Sequence, residues 1–157
     1  MEAGEKARVV CFWLGRQQFA APIRHVKETI VLRPITRVFL TPPWLAGIIN
    51  LRGEVLAVVD LPCLFGLGRC GQSFDARIVI AHSEGDDRRR AGLLVDRLGE
   101  VKRVDLRALQ PTSMLSNEHM GLCHGVMTEE GGEPVAILDV PKIFESEQLR
   151  QFQRKAS

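Results

Sequence analysis

Hydrophobic and polar positions alternate along this chain in short bursts, and the bursts have the length of strands rather than helices. Residues 8–14 form one apolar run, Gly15-Arg16-Gln17 a turn, and 18–21 a second short strand, which together predict a hairpin broken by Pro22. Residues 26–32 are extended again, with Val26, Glu28, Ile30 and Leu32 on one face, and Arg33-Pro34 ends the run. Thr41-Pro42-Pro43-Trp44 is a rigid connection, and Trp44-Leu45-Ala46 reads as a single helical turn. Further on, 76–82 is a strand, 83–90 a polar hairpin loop, 91–95 its return strand and 98–104 another strand. Residues 107–121 carry Pro111, Ser113, Ser116 and Asn117 and read as a long loop. Strands follow at 122–129 and 135–138, separated by the turn Glu130-Gly131-Gly132-Glu133. Asp139 caps a helix expected to run to about Lys155. The class is mostly β, sandwich or barrel, with one C-terminal helix.

The sharpest local pattern is 48–65, I-I-N-L-R-G-E-V-L-A-V-V-D-L-P-C-L-F. Two apolar strands flank the polar break Asn50-Leu51-Arg52-Gly53, whose glycine tolerates positive φ. Asp60 is a helix N-cap candidate, and Pro62 falls in the first turn, where a missing N–H costs nothing. Arg52 is left exposed at the turn.

The same pattern recurs. Residues 53–65 align with 132–144, with six of thirteen positions identical and five more exchanging one apolar residue for another. The turn glycine, cap aspartate and first-turn proline are all kept. A weaker echo aligns Val26-Lys27-Glu28 with Leu98-Gly99-Glu100. The implied organisation is one domain over 1–157, built of two related halves, 8–69 and 76–145, too small to stand alone and sharing a core, with 146–157 as helix end and tail. The linker 70–75 is the candidate internal boundary. The second copy has Glu129-Glu130-Gly131 where the first has Asn50-Leu51-Arg52, so the part peculiar to the first copy is the arginine turn.

Composition narrows the function classes. The 157 residues are 45% hydrophobic and 25% charged, ordinary for a globular protein. A net charge of +2 is too small to imply nucleic acid or an anionic membrane as main partner. No apolar run approaches the length of a signal-peptide core or a membrane span, so a cytoplasmic protein without direct membrane insertion is expected. Cys11, Cys63, Cys70 and Cys123 are irregularly spaced, and Cys11 and Cys63 read as buried thiols rather than parts of a disulfide framework.

Candidate chemistry is sparse. Asp60 and Asp139 are caps rather than catalytic acids, since no histidine partners them at an interpretable spacing. His119, Cys123 and His124 form the best metal-like cluster, but H-x3-C-H is not a zinc spacing. A thiol- or zinc-dependent enzyme using that region is the alternative reading. Asp86 and Asp87 precede Arg88 to Arg90, a charge-mixed tip rather than a phosphate site, and there is no glycine-rich phosphate loop. No cofactor is implied. Glu28 and Glu100 are either interface carboxylates or edge charges that block aggregation. Arg52 is either a solvated turn residue or a guanidinium fork for a partner's carboxylate or carbonyl.

Asn50 to Gly53, followed by V-L-A-V-V-D-L up to Leu61, resembles the signature of the CheW-like domain family. V-K-E at 26–28, G-L-L-V-D at 92–96 and A-I-L-D-V-P-K-I-F at 136–144 match in family order, covering about 7–144. The chain departs from many members at Ala57, where they carry proline, and at Pro62, where they carry a basic residue. The resemblance implies two loose five-stranded β-barrels with a third hydrophobic core between them. It implies no enzymatic activity but a stand-alone adaptor. The adaptor would couple the cytoplasmic hairpin of methyl-accepting chemoreceptors to the regulatory domain of a CheA-type histidine kinase, with other CheW-like domains as further partners in rings. Carried onto this chain, the partner-binding residues it implies are Arg52, Glu28, Val26, Asn50, Leu98 and Val101, beside a groove between the barrels.

Overall fold

The computed structural model describes residues 6–83, 86–111, 121–128 and 131–145. Ten strands are seen there: β1 (Lys6–Leu14), β2 (Gln17–Pro22), β3 (Val26–Val31), β4 (Leu45–Leu51), β5 (Glu54–Asp60), β6 (Arg77–Ser83), β7 (Asp86–Val95), β8 (Arg97–Asp105), β9 (Cys123–Met127) and β10 (Val135–Leu138). Two short helices, α1 (Leu61–Leu64) and α2 (Val140–Phe144), follow β5 and β10. One five-stranded sheet has the order β8-β1-β2-β10-β9, the other β3-β6-β7-β5-β4.

The mostly-β class and the five-strand count stand, but neither sheet closes into a barrel. In the second sheet the edges are β3 and β4. The chain leaving β3 reaches β4 only through one isolated bridge, Thr36 to Ile48, with N–H···O distances of 2.9 and 2.8 Å. In the first sheet the chain leaving β8 touches β9 through one bridge, Gln110 to Val126, at 2.9 and 2.8 Å. Prolines explain the short contact. Pro34 follows β3 and Pro111 follows the Gln110 bridge, and neither has an N–H to extend a ladder. Both bridges depend on glycine in the strand beneath. A Cβ on Gly47 would collide with the Thr36 carbonyl, and one on Gly125 would lie 2.7 Å from the Gln110 oxygen.

Strands cross the boundary between the approximate halves 8–69 and 76–145. The second sheet is continuous in sequence, β3 to β7, while the first combines β8 to β10 with the N-terminal hairpin β1–β2. Each sequence half therefore gives its hairpin to the other half's sheet: β1–β2 pairs with β8 and β10, and β6–β7 with β3 and β5. The corresponding cross-pairings, β10 with β2 and β5 with β7, are both parallel.

Strand alternation then fills three cores. Ala57 and Val59 of β5 face the central core, with Phe12, Leu14 and Phe19 from the other sheet and Phe144 from α2. Leu56 and Val58 face a second core inside their own sheet, with Ile78, Ile80 and Leu94. Val9, Cys11, Ala20 and Ile137 make the third, inside the other sheet. A strand buried on both faces reads as a continuous apolar run, which is why 56–59 shows no alternation. The central core between the sheets is the one the family resemblance implies.

Several local expectations change. Leu45 and Ala46 open strand β4 rather than forming a helical turn, because Leu45 pairs with Val59. The loop expected at 83–90 is shorter, since β7 begins at Asp86. Within 107–121, a 3-10 turn at Leu106–Ala108 and the Gln110 bridge replace plain loop. The helix expected to reach about Lys155 is seen as Val140–Phe144, and 146–157 lie outside the described residues.

Candidate functional site

The turn between β4 and β5 is built by its own sequence. Arg52 has φ 51° and Gly53 φ 85°, the pair of left-handed residues that a tight two-residue hairpin turn requires. Asn50 Oδ1 accepts the Gly53 N–H at 2.9 Å and fixes the loop from inside. Arg52 is thus held on a rigid tip, with its side chain 70% exposed.

The fork is not free. Arg52 Nη1 and Nη2 donate to Glu28 Oε2 and Oε1, both at 2.8 Å. This planar bidentate pairing fixes the guanidinium's direction as well as its charge. The hydrogen bonds from Arg52 hold the Glu28 carboxyl below the usual carboxylate range, with its partial desolvation opposing, and the charges of Arg52, Arg33 and Arg90 adding to the lowering. Glu28 reciprocally raises the Arg52 guanidinium. Glu28 lies on β3 and Arg52 beside β4, the two edges of one sheet, so the pair crosses the seam the strands leave open. Arg33 Nη1 crosses it too, donating to the Asn50 carbonyl at 3.0 Å. Arg90 reaches Glu54 at 3.3 Å beside the same turn.

Arg52, Glu28 and Asn50 therefore form one cluster. Val26, two residues before Glu28, is half-buried against the central core. Leu98 is half-buried against that same core from β8, the edge of the other sheet, and Val101 on β8 is 55% exposed. Val26 and Leu98, matched by the weaker sequence echo, thus flank the core between the sheets from opposite sides.

The cap aspartates are structural. Asp60 is 5% exposed and accepts N–H groups from Cys63 and Cys70 at 3.0–3.2 Å. Burial pushes its carboxyl up, against the lowering by those two N–H groups. Asp139 accepts from Lys142 N at 3.2 Å. The backbone repeats as well: Asp60 N–H donates to Trp44 O at 2.7 Å and Asp139 N–H to Leu122 O at 2.8 Å.

At the centre of the enzyme alternative, Cys123 is buried and not activated. Burial, then the charge of Asp139, pushes the Cys123 thiol up to about 12, the opposite of an activated thiolate. His124 Nδ1 sits 3.6 Å from Asp139 Oδ2, and His119 lies outside the described residues.

Sequence reasoning missed two features here. Asp96 Oδ2 accepts Gly15 N–H at 2.6 Å and Oδ1 accepts Gly71 N–H at 3.3 Å, tying the β1–β2 turn to the linker before β6. Arg97 stacks its guanidinium 4.7 Å from the Trp13 ring centroid. The aspartate closing G-L-L-V-D was the available signal, since a carboxylate ending a buried strand needs donors.

This geometry is two interlocked sheets with a rigid arginine tip at the seam of one of them. The chain belongs to the CheW-like domain family, whose model matches residues 8–148. It is similar to the chemotaxis protein CheW of Rhizobium meliloti (strain 1021), 29% identical over 141 residues, 89% of this chain and 88% of that protein. CheW of Helicobacter pylori (strain ATCC 700392 / 26695) is 30% identical over 146 residues, 91% of this chain and 84% of that protein. The crystal structure of the scaffolding protein TtCheW from Thermoanaerobacter tengcongensis superposes with a TM-score of 0.77 at 30% identity, covering 92% of this chain and 91% of that one. Family and relatives place the chain among the adaptor and scaffold proteins of chemotaxis, a non-enzymatic class. No helix among the described residues is long and apolar enough to cross a membrane.

Proposed function

We propose that this protein is a cytoplasmic adaptor that couples the cytoplasmic hairpin of chemoreceptors to the regulatory domain of a CheA-type histidine kinase. The receptor contacts the Arg52–Glu28–Asn50 turn, with Val26, Leu98 and Val101 supplying apolar area. Barrel-like sheet ends contact the kinase domain and other CheW-like domains, so that weak contacts add up to a receptor-bound array through high local concentration. The observation carrying this reading is the Arg52 fork. It is held in a left-handed turn, bonded bidentately to Glu28, and 70% exposed. An oriented, exposed guanidinium presents specificity at low ordering cost.

The test is Arg52→Glu in a pull-down of a receptor cytoplasmic fragment and the kinase. The variant keeps its fold by circular dichroism and loses receptor recovery by on the order of tenfold or more. Unchanged recovery would show that the receptor does not use this turn.

A further inference from the structure

A second surface lies along the same seam, joined to the arginine tip through Arg33. Between the segment leaving β3 and the start of β4 runs a cleft of about 490 Å³, floored by Leu32, Ile35, Leu45 and Ala46. A second cleft of about 440 Å³ continues it and shares Arg37, Pro43, Leu45, Ala46 and Arg69. The result is an elongated groove of mixed polar and apolar lining rather than a round pocket.

Its charge has one sign at the surface. Arg33, Arg37 and Arg69 line it; Arg37 and Arg69 are exposed, and Arg69 acts electrostatically on the buried Asp60 carboxylate. Arg33 Nε is shielded from solvent with no hydrogen-bond partner there, although Nη1 is bonded to Asn50 O. The acidic residue in the lining, Asp60, is 5% exposed and its oxygens are occupied by the N–H groups of Cys63 and Cys70. The rim carries Phe39 and Leu40, each 89% exposed. Leu40 also stands at φ 60°, a conformation unfavourable for a bulky side chain, and no burial of that side chain offsets it.

Adjacent exposed apolar residues, strained backbone and exposed guanidinium groups in one groove mark a surface that is completed by binding. We propose that this groove docks an acidic segment of a protein partner, with carboxylates on Arg37 and Arg69 and an apolar side chain laid against Phe39 and Leu40. A peptide fits better than a small anion, because the groove extends over two lobes and its rim exposes Phe39 and Leu40. Guanidinium forks pair bidentately with carboxylates, which sets the sign and spacing of the segment's charges. This surface goes beyond the Arg52 turn and stands or falls independently of it.

A display library of short random peptides selected on the purified full chain tests it. Enriched peptides carry Asp or Glu on either side of Leu, Ile or Phe. Fluorescence anisotropy with a labelled winner shows affinity falling on the order of tenfold in Arg37→Glu/Arg69→Glu. It falls again in Phe39→Ser and weakens between about 0.05 and 0.3 M salt. Arg37→Gln/Arg69→Gln, a milder pair, shows the same direction, and unchanged thermal melting separates lost binding from lost fold. Peptides without acidic residues, or binding indifferent to both arginine pairs, overturn the proposal. So does displacement of the peptide by millimolar inorganic phosphate, which would assign the groove to free anions. Receptor recovery by Arg52 variants is read separately, so either reading can fail alone.

Discussion

At the scale of single residues, Arg52 and Glu28 have two tasks that a charge swap separates. Within the chain they close a seam; toward a partner they present an oriented cation. Glu28→Arg/Arg52→Glu reverses the pair and keeps its complementarity inside the protein. The double variant is expected to melt like wild type while still failing to recover receptor, because the presented charge has changed sign. Recovery restored by the swap would mean that the pair acts only through the fold. The Glu28 titration gives a second check. Its folded pKa is lowered by Arg52, so the pair's contribution is present above the ordinary value of 4.5 and is lost as pH falls through the lower folded value. Carboxyl chemical shifts are expected to titrate below 4.5 in wild type and to move up in Arg52→Ala.

At the scale of elements, the repeated strand–cap–helix unit is the same motif under different loads. Asp60 serves N–H groups on α1 and on the linker at Cys70, whereas Asp139 serves Lys142 alone among the described backbone donors. Asp60→Ala is therefore expected to cost about 2–3 kcal/mol and Asp139→Ala about 1 kcal/mol, measured by urea denaturation. Asp60→Asn, which keeps an acceptor, should cost less than Asp60→Ala. Asp60 also has the opposite pH sign to Glu28. Burial raises its folded pKa above 3.8, so its contribution is greatest in acid and falls as pH rises through the window just above 3.8. That slope should vanish in Asp60→Asn. Equal losses from the two alanine variants would show that the Cys70 bond to Asp60 contributes nothing.

At the scale of the molecule, exchange of hairpins makes the two sheets one cooperative unit. Trp13 lies on β1 in one sheet, and Trp44, whose carbonyl accepts the Asp60 N–H, stands just before β4 in the other. Single-tryptophan variants, Trp13→Phe and Trp44→Phe, are each expected to show a fluorescence transition coincident with that variant's own far-UV signal. Separated midpoints would mean that the sheets unfold independently. The seam glycines belong to the same scale. Gly47→Ala forces the Thr36 carbonyl away and is expected to destabilise by roughly 2–4 kcal/mol, more than an exposed substitution does.

Much of this was legible in the sequence for physical reasons. Local signals are carried by residues close in the chain: the turn at Arg52-Gly53, the caps at Asp60 and Asp139, the strand at 55–59 and the repeat that pairs them. The family signature lies in those same pieces, so family and mostly-β class were legible too. What the chain could not show was pairing between distant segments. Nothing in 8–14 or 18–21 says that the N-terminal hairpin joins strands near the other end, because any strand with the right faces offers the same backbone donors and acceptors. The open seams, the Glu28 partner of Arg52, the Asp96 clamp and the arginine-lined groove are all meetings of residues remote in sequence. The sequence by itself determined the elements, their caps and the arginine tip. Only the tertiary structure decided which strands share a sheet and what Arg52 holds, since those depend on how buried faces are matched across the whole chain.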